Sequence, residues 1–161
     1  LAEFKGLRRR FELVGEANGI RVIDDFGHNP DKIAATLRTL HAFPCRLLIF
    51  FQPHGYGPLR TMGAELTDTF ARELAPDDVL LMPDPVYYGG TTDMRVGTGT
   101  VTEAIVARGR HAEHIAESPP ERTLSTARLV ELARPGDRIV IMGARDDTLT
   151  LFAEALLAKL G

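Results

Sequence analysis

The sequence predicts an α/β domain: a mostly parallel sheet of about six strands, with one antiparallel edge strand and helices on both faces. Two observations carry that class. Strand-like and helix-like hydrophobic periods alternate four or five times along the chain, the rhythm of successive right-handed strand–helix–strand crossovers. Three strand-like runs, "RLLIFF" (46–51), "DVLLM" (78–82) and "RIVIM" (138–142), are short and almost wholly apolar, as parallel strands covered on both faces should be.

The elements follow in order. "RRFELVGE" and "IRVIDDF" are β-prone runs joined through Asn18-Gly19, a tight-hairpin signal that makes one edge strand antiparallel. After Pro30 the period changes to helical, with Ile33, Leu37 and Leu40 on one stripe, Asn29 placed to cap and Pro30 at the first helical position. The apolar run 46–51 is followed by a loop over 52–60. Met62, Leu66, Phe70 and Leu74 then form a second stripe that Pro76 stops. From Pro83 to Gly99 no period is visible and a long loop is expected. Thr100 and Glu103 form a capping-box pattern, 111–115 reads as a weak strand, and a helix runs from near Ser118 to Pro135-Gly136. The run 138–142 is the last strand, followed by "GARDD" and a helix on Leu149, Phe152, Leu156 and Leu160. The whole is a Rossmann-like pattern.

The 161 residues suit one domain, and 44% hydrophobic with 25% charged residues is ordinary globular usage. A net charge of -3 argues against a general nucleic-acid binder. No apolar stretch reaches the roughly 18 residues of a membrane span and no signal peptide is visible, so a cytoplasmic protein is expected. Cys45 cannot form an internal disulfide and is read as a small core residue in a reducing compartment. The chain opens at Leu1 without an initiator Met, inside what reads as a linker over 1–10.

In an open α/β sheet, ligands bind beyond the carboxyl ends of the strands, where strand order reverses. Three loops leave such ends with polar groups: "DDFGHNP" (24–30), "QPHGYGPLR" (52–60) and "GARDD" (143–147). If the strands before the first two are neighbours, His28 and His54 face one crevice. Each loop also feeds a helix start, where unbonded N–H groups and the dipole favour phosphate or carboxylate. Singly, Asp24, Asp25 and Asn29 are explained as turn and cap residues, His28 and His54 as surface histidines, and Arg8 to Arg10 as a solvated charge run. Jointly, polar groups ending successive buried strands favour a site. Neither a G-x-x-x-x-G-K-S/T loop nor a G-x-G-x-x-G after a strand is present, so no phosphate cradle of either common type exists here. Two other readings of the residues stay open. One is a metal-dependent phosphoesterase with Asp24, Asp25, His28 and His54 as ligands; the other is a non-catalytic nucleotide-binding module.

"RRRFELVG", then "VIDDFGHNPDKIAATL", then "LLIFFQPHGYGPLR" resemble the C-terminal domain of the Mur ligases. The likeness is strongest to the UDP-N-acetylmuramate–L-alanine branch, with its R-R-F-E, D-D-Y-G-H-H-P and F-Q-P-H-R-Y-S-R-T-R patterns. The resemblance implies that residues 1–10 link to a missing central ATPase domain and that 11–161 form the amino-acid-binding lid. It implies an ATP-dependent ligase, with Mg and ATP bound mainly by the central domain. A UDP-muramyl carboxylate becomes an acyl phosphate that an amino acid's amine attacks, in peptidoglycan precursor synthesis. By the same resemblance Arg10, Asp25 and Asn29 lie at the ATP, while Phe26, His28, His54 and Arg60 line the amino-acid side. No residue of the fragment is catalytic, and the domain alone is expected to be silent. Departures from the pattern are Phe26 for tyrosine, Asn29 for the second histidine, Gly55 and Pro58 for arginines, and "DPVYYGGTT" for D-x-Y-A-A-G-E, matched loosely at Asp84, Tyr87 and Gly89.

Overall fold

A computed structural model describes residues 11–86, 96–143 and 147–161. In chain order the elements are β1 (Glu12–Ala17), β2 (Ile20–Asp25), α1 (Pro30–His41), β3 (Leu47–Phe51), α2 (Tyr56–Glu73), β4 (Val79–Pro83), α3 (Thr98–Ala107), β5 (His111–Ile115), α4 (Thr123–Leu132), β6 (Arg138–Met142) and α5 (Asp147–Leu160). The strands form one six-stranded sheet in the order β1-β2-β6-β3-β4-β5. Only β1 and β2 pair antiparallel; the remaining pairs are parallel. The expected class, strand number and antiparallel edge are all present.

The hairpin turns on Asn18 (φ 51°) and Gly19 (φ 78°), both in the left-handed region that a two-residue turn of this hand needs. Every residue of β3 and β4 is buried, because helices cover both faces. Alternate side chains feed two cores. Leu47, Ile49, Phe51, Val140 and Met142 pack toward α1, α2 and α3, while Leu48, Phe50, Ile139 and Ile141 pack toward α4 and α5. The crossovers β2–β3, β3–β4 and β4–β5 run one way across the sheet and put α1 to α3 on one face. The return from β5 to β6 puts α4 on the other, as a right-handed connection demands. Cys45 is only partly buried at the edge of the first core, and burial pushes its thiol pKa up, away from nucleophilic character.

One strand placement and three boundaries differ from expectation. β6 inserts between β2 and β3, so the strands carrying the first two loops are not neighbours. The 52–60 loop is shorter than expected, because α2 starts at Tyr56 with an extended Gly55 before it. Pro58 is tolerated there since the first three helical N–H groups have no intrahelical partner. α3 starts at Thr98 rather than at the Thr100–Glu103 box: Gly97 accepts from the Thr100 N–H, and the Thr98 hydroxyl donates to the Pro83 carbonyl at 2.8 Å. α4 begins at Thr123, not near Ser118. The Glu117 carboxylate caps it from outside, accepting from the N–H groups of Leu124 (2.8 Å) and Ser125 (3.0 Å). Most of the expected loop over 83–99, including Tyr87 and Gly89, lies outside the described residues.

Candidate functional site

The turn between β2 and α1 is built by its own polar groups. Asp24 points to the α5 face, where its carboxylate accepts from the Thr150 hydroxyl at 3.2 Å. Asp25, on the opposite face of the strand and only 6% exposed, accepts from the Phe11 N–H (3.1 Å), the Gly27 N–H (3.1 Å) and the Thr36 hydroxyl (2.9 Å). A side chain at Gly27 would come 2.9 Å from that carboxylate and 3.2 Å from Met142, which is why this position in "DDFGHNP" is glycine. The His28 ring Nδ1 lies 3.2 Å from the Phe26 carbonyl, and Asn29 caps α1 by accepting from the Lys32 N–H at 2.9 Å. Asp25 and the Asn29 amide therefore order the turn, Asp24 ties the strand end to α5, and the imidazole is what the turn presents.

His28 does meet His54, although β6 separates their strands. A cleft of about 400 Å³ is lined by His28 and Asn29 from the first turn, Gln52, Pro53 and His54 from the exit of β3, and Leu59 and Met62 from α2. Its floor is apolar and its mouth carries two imidazoles and two helix starts, a combination suited to a small molecule with an apolar part and an ionised end. β3 feeds α2 on one face and its neighbour β6 feeds α5 on the other, so the sheet reverses at this point. Gly143, just beyond β6, has φ 147°, and a side chain there would come 2.8 Å from Leu149 and 3.1 Å from Gln52. Burial and the Asp84 charge push the Tyr56 hydroxyl pKa up.

The other expected site residues are placed differently. Phe26 is partly exposed, with the Lys32 ammonium 5.9 Å from its ring, and does not line this cleft. Arg60 is exposed on α2 and does not line it either, the helical start at Tyr56 having carried it onto the helix surface. Arg10 lies outside the described residues. Among the described residues no group of three or more His, Cys, Asp or Glu side chains could hold a metal ion. The phosphoesterase reading fails there, because Asp24 and Asp25 are on opposite faces of β2 and are drawn into separate hydrogen bonds.

Sequence reasoning missed Gln52 and Arg122. Gln52 lies under the cleft and bonds to Arg122 from the start of α4. A signal for Gln52 existed, an amide ending a wholly apolar strand; none existed for Arg122, which arrives from seventy positions away. A larger groove of about 970 Å³ lies between α4 and α5 on the opposite face, lined by Val130, Leu151 and Phe152 among others. It contains neither imidazole nor strand end, so the smaller cleft is the candidate site. No helix among the described residues is long and apolar enough to cross a membrane.

A parallel sheet reversing beneath a cleft with two helix starts defines an α/β domain of the doubly wound class. The chain belongs to the Mur ligase family: residues 9–145 match the profile described as "Mur ligase, glutamate ligase domain". It is 39% identical over 163 residues to the UDP-N-acetylmuramate–L-alanine ligase of Syntrophobacter fumaroxidans, covering 99% of this chain and 33% of that protein. It is 42% identical over 154 residues to the ligase of the same name from Acidothermus cellulolyticus, covering 94% of this chain and 30% of that one. Among solved structures, a murein peptide ligase from Psychrobacter arcticus superposes with a TM-score of 0.65 at 23% identity, over 95% of this chain and 29% of that one. A single domain from a Haemophilus ducreyi protein, described as a UDP-N-acetylmuramate:L-alanyl-γ-D-glutamyl-diaminopimelate ligase, gives the same TM-score of 0.65 at 23% identity, over 94% of this chain and 100% of that one. The chain spans about a third of the length of the curated relatives it matches.

Proposed function

We propose that the chain is the amino-acid-binding lid of an ATP-dependent carboxylate–amine ligase acting in peptidoglycan precursor synthesis in the cytoplasm. The observation that carries this reading is the meeting of His28 and His54 over one apolar-floored cleft at the sheet reversal. The relatives named as UDP-N-acetylmuramate–L-alanine ligases support the reaction class. In that reaction ATP phosphorylates the muramoyl carboxylate and ADP leaves. The amino acid's amine then attacks the acyl carbon, inorganic phosphate departs, and the amine loses its proton. This domain's part is orientation: the imidazoles of His28 and His54 hold the amino acid so that its nitrogen faces the acyl phosphate on closure against the ATPase domain. Arg10, Asp25 and Asn29 are the proposed contacts to ATP, with Asp25 toward the ribose; Phe26 and Arg60 are proposed at the outer rim of the amino-acid site. Mg is assigned with ATP to the ATPase domain.

The test is phosphate release by the full-length protein with ATP, UDP-N-acetylmuramate and a panel of amino acids. Release that needs both acceptor and amino acid is expected, and the panel identifies the amino acid admitted by a cleft edge that has Gly55 and Pro58 where the family pattern has arginines. No release with any pair overturns the reading. Tight ATP binding by the 161-residue chain alone would point instead to a nucleotide-binding module.

A further inference from the structure

We infer that Arg122, which stands outside the cleft, is a positioning residue: it fixes the orientation of the Gln52 side-chain amide and through it the Pro53–His54 segment that forms one wall of the site. Gln52 is 3% exposed and is the chain's single glutamine. Its Oε1 accepts from an Arg122 Nη at 3.3 Å, and its Nε2 donates to the Pro53 carbonyl at 3.0 Å and the Asp84 carbonyl at 3.1 Å. A guanidinium only donates and a carbonyl only accepts, so this partner set admits one orientation of the amide. Flipped, the amide oxygen would face two carbonyl oxygens and its NH₂ would face a cation.

The guanidinium is itself held from two elements. It donates to the Thr148 hydroxyl of α5 at 2.7 Å, and it lies 5.9 Å from the Phe50 ring of β3 and 5.5 Å from the Phe152 ring of α5. With 7% exposure it is shielded from water, where such bonds are strongest. The result is one polar knot that ties the exits of β3 and β4 to the starts of α4 and α5 at the sheet reversal. The Pro53 carbonyl, one end of that knot, belongs to the peptide that carries His54. Without Arg122 the amide oxygen loses its cationic donor, the two carbonyls alone hold the amide, and the imidazole's mounting loosens.

The kinetic consequence rests on the ligase reading; the structural one does not. In the full-length enzyme, Arg122→Met should raise KM for the amino acid about tenfold, with KM for ATP unchanged. Gln52→Met should do the same, and the double variant should be no worse than either single one, because both act through one amide. Arg122→Lys should restore part of the loss. In the 161-residue chain, the Gln52 side-chain NH₂ resonances, recognisable as the only glutamine pair, should exchange slowly with solvent and at least about tenfold faster in Arg122→Met, or in Arg122→Lys should the Met variant not fold. Equal exchange in wild type and variant, or amino-acid KM effects that multiply in the double variant, overturn the inference. Absence of ligase activity in the wild type would strike the proposed function alone, leaving the exchange measurement to decide this one.

Discussion

At the amino ends of the strands, Asp78 and Asp137 are buried and enclosed. Asp78 lies 2.7 Å from His41 Nε2 and accepts from the N–H groups of Leu47 and Ala75, each at 2.9 Å. Asp137 takes Arg46 side-on, at 3.1 and 2.6 Å, and accepts from the Arg134 N–H at 2.8 Å. At the carboxyl ends, Asp24 and Asp25 are buried in the same manner, and the histidines of that rim, His28 and His54, line an open cleft. Both rims contain an acidic residue near an imidazole. At the amino rim the pair staples backbone segments together; at the carboxyl rim the acid orders a turn and leaves the ring at the mouth. Residue type is the same at both ends, and the partner of the ring decides the role: His41 is bonded to Asp78, whereas His28 and His54 line the cleft.

The largest test of that contrast is Asp78→Ala. It strips the acceptor from two backbone N–H groups and from His41, at about 1–3 kcal/mol for each buried donor left unmet, so a loss of about 3–5 kcal/mol is expected in urea unfolding. His28→Ala should change stability by no more than about 0.5 kcal/mol. In the full-length enzyme it should instead raise KM for the amino acid. If His28→Ala cost as much stability as Asp78→Ala, the two rims would be equivalent and the cleft would lose its claim to be a site.

Asp25 sits between the two roles and gives the next effect in size. Three donors depend on its carboxylate, and Asp25→Ala is expected to cost about 2 kcal/mol as well as raising KM for ATP. Thr36→Val separates the contributions. It removes one of the three bonds without touching a ligand and should cost about 1 kcal/mol. An unchanged KM for ATP in that variant supports a direct ribose contact, whereas a rise in KM proportional to the stability loss would make Asp25 an organiser of the turn only.

Much of the fold was legible because it is written in local periods. The Asn18-Gly19 turn, the Asn29 cap and the apolar strands each state their structure within a few residues. The position of β6 was not legible, since no local pattern says which strands a returning chain will part. That same insertion hid the site's construction: His28 and His54 meet across an intervening strand, and Gln52 depends on an arginine seventy positions away. The start of α4 failed for the same reason, its cap being a glutamate outside the helix rather than the serine that the pattern offered. Motif resemblance located the turn that presents His28, but it could not say that Arg60 would stand exposed on the surface of α2.

The smallest expected effect lies within the amino rim itself, at Glu73 near the end of α2. Burial works against its charge, but hydrogen bonds from Arg38 and Arg72 outweigh that and hold its pKa below the ordinary value of 4.5. A carboxylate whose pKa is lower folded than unfolded adds stability above its unfolded value, and that contribution fades as pH falls through the folded one. Stability should therefore decline on acidification below about pH 4.5, and Glu73→Gln should flatten that limb while leaving the neutral plateau only slightly lower. Arg38 and Arg72 are well exposed, so water and salt screen the ion pairs, and 1 M NaCl should shrink the difference between variant and wild type. Asp78 offers the contrast at the same rim: it is itself buried and its partners are two backbone N–H groups and a half-buried histidine, so the cost of Asp78→Ala should survive high salt. Equal salt sensitivity in the two variants would mean that the amino rim is held by charge alone, and its difference from the carboxyl rim would then reduce to exposure rather than to the enclosure of its hydrogen bonds.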